Sequence, residues 1–355
     1  MERVAVNLAN AIPRDRFESG LCTTRRDGIL ADQVAPDVTR VHLARAGRFD
    51  LGALRRLRSS IAAQEIDILH AHGTAIFAAV AASVLRPRVS IVWHDHYGNS
   101  LVPRPWLPFR LAAVRVSAVV SVNEALATWA RETLSVPQDR VWYVPNFVCT
   151  PSPGGAPASL PGQSGLRVVC VANFRPQKNH PDLIRALALV RDQLPGVHLL
   201  LVGTGHDPDQ VREIRDLIER HRLDQCVTLM GHQTNVSAIL TACDVGVLSS
   251  VGEGMPLALL EYGVAGLAAV STTVGQCVEV LDDGRAGLLV PPRDPVAFAE
   301  ALLSLLREPA LRKQLAGRLR ERVNRHFSQD SAVRQICAVY DAVGNQARVR
   351  PAEQE

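Results

Sequence analysis

Residues 249–266, SSVGEGMPLALLEYGVAG, place glycines, a proline and two carboxylates within one short stretch. Gly252 and Gly254 allow backbone to approach a ligand closely. Pro256 suits the first turn of a helix, where its missing N–H is no loss. A helix over 256–264 would present the backbone of Gly254, Met255, Pro256 and Leu257, with the positive end of its dipole, to an anion such as phosphate. Junctions of the same composition also occur where nothing binds, so the two carboxylates matter most. Glu253 precedes the helix at the anion site, where a structural acid would instead cap the first turn. Glu261 lies about 7.5 Å further along at 1.5 Å per residue, in a helix otherwise made of Leu, Ala, Tyr, Gly and Val. So apolar a helix is expected to be buried, and a buried carboxylate needs a polar partner. Ligand hydroxyls would serve, and so would an internal salt bridge.

A second group is VANFRPQKNHPDLIRAL, residues 171–187, where Arg175 and Lys178 occupy the loop of a strand–loop–helix unit. A cation pair at the carboxyl end of a strand can neutralise a diphosphate; two ordinary surface charges would look the same. Lys178 carries a further signal, because Lys178 and Lys313 are the only lysines among 39 basic residues. A chain that uses arginine wherever charge suffices keeps lysine where a compact point charge is needed, and Lys313 falls in an evidently exposed helix. His94 ends the run RVSIVWH, with His96 two residues on; histidines at a strand end serve either catalysis or structure. The seven cysteines are scattered without zinc-type spacing, so no metal site is expected. They read as small buried hydrophobes in a reducing compartment.

The elements that must position these residues follow an α/β pattern. Short β-branched runs alternate with longer helical ones, the signature of parallel sheets covered by helices. The 355 residues, 47% apolar and 21% charged, are too many for one ordinary domain and fit two. Residues 151–165, PSPGGAPASLPGQSG, read as a linker between a lobe over 1–150 and a doubly wound domain over 166–325. A helix over 326–343 is expected to pack back on the first lobe, and 344–355 to be a disordered tail. First-lobe strands are expected at FESGLCTT, VTRVHL, IDILHAH, RVSIVWH, VSAVVSV and RVWYVP. Val4, Leu8, Ala11 and Ile12 stand at helical spacing, so the first element is a helix, and the central strand that usually precedes it in a doubly wound sheet is missing. No run is long and apolar enough for a membrane span, and the start lacks the pattern of a secretory signal. Residues 1–150 hold 18 basic and 13 acidic side chains against 21 and 22 in the rest. That excess suits an anionic membrane surface or acceptor and is too small for nucleic acid.

EGMPLALLE, the loop NFRPQKNH, VPN at 144–146, GTG at 203–205 and the run VGQCVEVLDDGRAGLLVPPRDP together resemble the retaining glycosyltransferases of family 4. These are the group 1 enzymes that include glycogen synthases and mannosyltransferases, with the GT-B fold of two Rossmann-like domains facing a cleft. The resemblance covers most of the chain. Paired glutamates with seven residues between them, in this strand-to-helix setting, are the family's donor-site mark. It implies transfer of a sugar from a UDP- or GDP-linked donor to a glycan or lipid-linked acceptor, without a cofactor or metal, in surface polysaccharide or glycoconjugate synthesis. Lys178 and Arg175 would hold the diphosphate and stabilise the leaving group. Backbone at Gly254–Leu257 would contact phosphate and sugar, Glu253 the sugar hydroxyls and Glu261 the ribose. Gly203 and Asn173 fall at the donor side; the family commonly has arginine where Asn173 stands, five positions before the loop lysine. His94 falls where the family places a histidine near the reacting sugar, with His96 as the competing alignment.

Other readings remain open at this level. After Gly203 and Gly205 the third glycine of a nicotinamide fingerprint is replaced by Pro208. Asp207–Pro208–Asp209 resembles a metal-binding acid pair and reads as a turn. A sugar-nucleotide epimerase would use the same fold, and an inactive partner protein would keep the scaffold without the missing strand. VPRPWLPFRLAAVR, residues 102–115, mixes Trp106 with arginines and would suit docking at an anionic bilayer. The expected location is the cytoplasm and the inner face of the membrane.

Overall fold

In a computed structural model, the chain divides into two compact units, one of residues 1–97, 104–147 and 329–355, the other of 98–103 and 148–328. The structure describes residues 1–28, 30–47, 50–84, 89–97, 103–149, 160–205 and 207–349, with 345–349 described by backbone alone. Most of the 151–165 linker and the last six residues of the expected tail lie outside the described residues.

The first unit opens with the helix read from its apolar spacing, α1 (Glu2–Ala11), which buries Val4, Val6, Leu8 and Ala9. β1 (Gly20–Thr23) and β2 (Thr39–His42) pair in parallel as a sheet of their own. α2 (Leu51–Ala63) starts where the Asp50 carboxylate accepts the Ala53 N–H. Then β3 (Ile68–His72), α3 (Ile76–Ser83), β4 (Ser90–Asp95), α4 (Trp106–Ala113), β5 (Ala118–Ser121), α5 (Glu124–Glu132) and β6 (Val141–Tyr143) alternate. Their sheet is parallel, in the order β3-β4-β5-β6. All six residues of β4 are buried, as in a strand covered on both faces. All six expected strands are present, but the single sheet expected of a doubly wound lobe is found as two, because no described strand joins β1 to β3.

The second unit holds β7 (Arg167–Val171), α6 (His180–Gln193), β8 (His198–Val202), α7 (Pro208–Arg220), β9 (Val227–Gly231), α8 (Val236–Thr241), β10 (Val245–Leu248), α9 (Leu257–Ala265), β11 (Ala268–Thr272), α10 (Cys277–Val280), β12 (Leu288–Val290), α11 (Pro295–Arg307) and α12 (Pro309–His326). One parallel sheet runs β12-β11-β10-β7-β8-β9. Its core packs Leu183, Ile184 and Leu187 of α6 and Leu302 and Leu305 of α11 around Leu199, Leu201, Val245 and Val247. Strand order reverses between β7 and β10, the switch point outside whose carboxyl ends α/β sheets bind ligands.

At that point β7 and β10 stay paired only at Val168–Val245 and Val169–Gly246. Beyond it the fully buried Tyr262 of α9 takes over, its hydroxyl accepting the Val171 N–H at 2.9 Å and donating to the Val247 carbonyl at 3.1 Å. Gly246 makes room for that ring, since a Cβ there would lie 2.4 Å from Tyr262 Cδ2. The last helix, α13 (Gln329–Val349), belongs to the first unit, where Tyr340 packs edge-on to Phe17 and Asp341 pairs with Arg16. It continues six residues past the expected end at 343. None of the seven cysteines forms a disulfide among the described residues, and burial pushes the thiols of Cys170, Cys243 and Cys277 up to about 12. Cys22, by contrast, is exposed, and Cys149 and Cys226 are only partly buried, which corrects the expectation of seven buried thiols.

Candidate functional site

Two loops meet at the carboxyl ends of β7 and β10. The first, after β7, is held by β8: Phe174 N–H bonds the Thr204 carbonyl, and the exposed Asn173 accepts the Thr204 N–H through Oδ1 at 3.2 Å. Gly203 is required there, because it has φ +152° and a Cβ would sit 2.2 Å from the Ala172 oxygen. Arg175, exposed, precedes a single helical turn over Pro176–Lys178, and Asn179 in the left-handed region turns the chain into α6. The second loop staples to the first: Ser249 Oγ donates to the carbonyls of Lys178 and Asn179, and Val251 N–H to that of Gln177.

These contacts bring Lys178 and Glu253, 75 residues apart, into one ion pair. Lys178 Nζ lies 2.5 Å from Glu253 Oε1, and Ser250 Oγ donates to the same oxygen, also at 2.5 Å. The carboxylate side chain is 8% exposed and the ammonium side chain 22%. Glu253 Oε2 makes no hydrogen bond among the described residues. A third segment supports the pair. Gly275, at φ +50°, passes so close that a Cβ would lie 2.0 Å from the Glu253 carbonyl oxygen, and Gln276 N–H bonds the Gly254 carbonyl. Thr272 Oγ1 donates to the Ser250 carbonyl at 2.6 Å. His180, next to the loop, is buried edge-on to Phe174 and has its pKa pushed down to about 4, chiefly by burial and then by the Lys178 charge.

Gly254, Met255 and Pro256 are buried between Glu253 and α9. Pro256 is extended (ψ 99°), so it precedes the helix rather than forming its first turn, and α9 begins at Leu257 without a side-chain cap. Glu253 therefore does not cap the helix. Glu261 differs from expectation as well: it is only partly buried. Composition made α9 look buried all round, whereas Leu257, Glu261 and Val264 form its less buried stripe, opposite Ala258, Leu259, Tyr262 and Gly263. Asp207 and Asp209 lie at the start of α7, where Asp207 Oδ1 accepts the Asp209 N–H as N-cap and Asp209 pairs with Arg212.

His94, His96 and Trp106 belong to the first unit. His94, 3% exposed, is the second-last residue of β4, with its Nδ1 3.1 Å from His70 Nε2 and its buried Nε2 unpartnered among the described residues. His72 Nδ1 lies 2.9 Å from His96 Nε2. Burial pushes the His70 pKa down to about 3, and those of His72, His94 and His96 well below the ordinary histidine value. Trp106 is half-exposed at the start of α4, beside exposed Leu107, Leu111 and Val114. Between them, Arg104 grips Asp95 at 2.6 and 3.1 Å within a cage of Trp93, Tyr97, Phe109 and Trp129. Neither the second histidine pair nor the supports at Ser249, Ser250, Thr272 and Gly275 had been singled out from sequence. Their signals were the mirrored HAH and HDH and a buried run of small hydroxyls at a strand end.

Two family models match: one for family 4 glycosyltransferases over residues 1–151, the other for group 1 glycosyl transferases over 165–308. Among curated relatives, an exopolysaccharide phosphotransferase of Streptomyces coelicolor is 29% identical over 76% of this chain, which spans only 28% of that protein's length. A phosphatidyl-myo-inositol mannosyltransferase of Mycolicibacterium smegmatis is 28% identical over 83% of this chain and 76% of its own. Among solved structures, Anabaena HepE in complex with UDP-glucose superposes with a TM-score of 0.78 over 96% of both chains at 20% identity, a likeness of fold. No helix of the described residues is long and apolar enough to cross a membrane.

Proposed function

This chain belongs to the glycosyltransferases of the GT-B fold related to family 4, and on that premise we propose that Lys178 and Glu253 form its donor site. The reaction is transfer of a sugar from a nucleotide-diphosphate donor, UDP- or GDP-linked, with retained configuration, to a glycan or lipid-linked acceptor. The contact between Lys178 Nζ and Glu253 Oε1 carries the assignment, because it holds a cation and an acceptor together at the switch point of the sheet. An arriving diphosphate competes for the ammonium, which then stabilises the charge that grows on the leaving group. The carboxylate so released, already oriented by Ser250 and with Oε2 open, accepts hydrogen bonds from sugar hydroxyls. Exposed Arg175 adds positive charge, and Leu257 and Glu261 lie together on the less buried stripe of α9, where the nucleoside would be met. Calorimetric titration with UDP and with GDP tests the site. One nucleotide is expected to bind the wild type and to lose affinity at least about tenfold in Lys178→Ala, as befits a lost charge-assisted bond; equal affinity would remove Lys178 from the donor site.

Transfer is expected to persist in excess chelator, since a lysine and a helix N-terminus occupy the place of a metal; loss restored by manganese would overturn that reading. For the acceptor side, the exposed Trp106, Leu107, Leu111 and Val114, with Arg110 near Trp106, suit an anionic bilayer at the inner membrane face. Cosedimentation with anionic vesicles that survives Leu107→Ser/Leu111→Ser would argue against it.

A further inference from the structure

β3 ends in His70-Ala71-His72, β4 ends in His94-Asp95 with His96 just beyond it, and their parallel register sets His72 opposite His94. Alternation along a strand puts both histidines of each pair on one face, so four imidazoles gather at the carboxyl ends of these two strands, neighbouring ring centroids 4.1 to 5.2 Å apart. Among the described residues no carboxylate pairs with them, and the adjacent Asp95 is taken by Arg104. The rings are accordingly neutral, each with one lone pair, in line with the downward shifts that burial imposes.

We propose that His70, His72 and His94 form a binding site for a borderline divalent cation of the zinc class. One ligating nitrogen from each lies within 4.8 Å of the other two. Metal–nitrogen bonds of about 2.0–2.1 Å in a tetrahedron put the nitrogens about 3.4 Å apart. The His70–His94 pair, at 3.1 Å, is already near that value, and the widest separation needs to close by about 1.4 Å, within reach of ring rotation. Ligation sets the tautomers required. His70 ligates through Nε2 when its proton sits on Nδ1, which lies 2.6 Å from the Tyr340 hydroxyl, an outer partner able to accept it. In the ion-free contact one of the two facing nitrogens carries a proton; with His70 Nε2 accepting, that proton is on His94 Nδ1, and it shifts to Nε2 when Nδ1 ligates. Three imidazoles with an open fourth position select zinc, cobalt, nickel or copper over magnesium or calcium. His70 and His72 are partly exposed, which gives an ion access. The α-ammonium of Met1 disfavours positive charge on His72 and His94 and opposes the ion too, so coordination must outweigh it.

The site is independent of the donor assignment, being built wholly within the first unit. An ion there occupies His94, so zinc is expected to inhibit any step that uses that ring. Metal-stripped full-length chain is titrated with cobalt, read by visible absorption, and with zinc, read by calorimetry. One equivalent is expected, with the intense visible bands of tetrahedral cobalt. His70→Asn and His72→Asn should each weaken binding at least about tenfold, while His221→Asn, in the other unit, leaves it unchanged. Failure of the wild type to bind either ion with a Kd below about 0.1 mM would overturn the proposal whatever the variants do. So would uptake unchanged in His70→Asn/His72→Asn.

Discussion

Replacing Lys178 by Met removes the ammonium and keeps most of the side chain's length. It strands the Glu253 carboxylate, 8% exposed and then held by Ser250 alone. One-sided removal of a buried pair costs about 3–5 kcal/mol; with the lysine 22% exposed the cost shifts down, to about 2–4 kcal/mol. For a unit of this size that is a fall in melting temperature of roughly 5–12 °C. Adding Glu253→Gln removes the stranded charge while the amide still meets the Ser250 hydroxyl, so the double variant should return to within about 1 kcal/mol of wild type. Transfer behaves oppositely. Both variants should lose at least about 100-fold in rate, some 2.7 kcal/mol, because neither has a cation for the leaving diphosphate. Melting curves and single-turnover rates on the three proteins decide the matter together. A double variant that recovers both stability and activity to within about threefold would show the pair to be structural, and the reasoning would fail.

The neutral, buried His180 is a stability term that acid removes: its folded pKa of about 4 lies below the unfolded value of about 6.5. Its contribution is complete above pH 6.5 and is lost as pH falls toward 4, about 2 kcal/mol by pH 5, so His180→Gln should flatten the melting temperature between pH 7 and 5. Gly275→Ala forces a Cβ to 2.0 Å from the Glu253 oxygen at φ +50° and should lower nucleotide affinity and cost about 1–3 kcal/mol. Gly317→Ala, in open space on α12, should stabilise by about 0.5–1 kcal/mol. Glu261→Gln should weaken nucleotide binding by about 1.5–3 kcal/mol, the scale of hydrogen bonds to a charged group; unchanged affinity by calorimetry would remove it from the site.

Most elements of the second unit were legible because its strands are short apolar runs and several helices have a start signal, as at Asp294-Pro295 before α11, where the Asp294 side chain accepts the Ala297 N–H. Lys178 and Glu253 were legible singly, by residue type and setting. Their pairing was not, because it depends on β7 and β10 being neighbours across the reversal of strand order. Glu261 was misplaced because nine residues of α9 contain one charged side chain, too few to reveal which stripe faces outward. His70 and His72 gained meaning only from the β3–β4 register, which no local pattern encodes. The far end of α13 was unreadable for another reason: Gln346, Ala347 and Arg348 are good helix formers without an apolar period, so propensity extends the helix where patterning stops.

The phenol of Tyr262 works as a spacer. Sitting in the fork where β7 and β10 part, it fixes how far apart the two loops start, and it does so from α9, the helix that the second loop feeds. Loop separation and helix position are thus one mechanical variable. Substitutions within residues 173–179 or 249–256 that spare the contacts of Ser249 and Val251 can change which groups line the gap while its starting width stays set by one side chain seated against a glycine. Selectivity can therefore drift loop by loop without retuning the frame, whereas a change at Gly246 or Tyr262 alters the frame for every ligand at once.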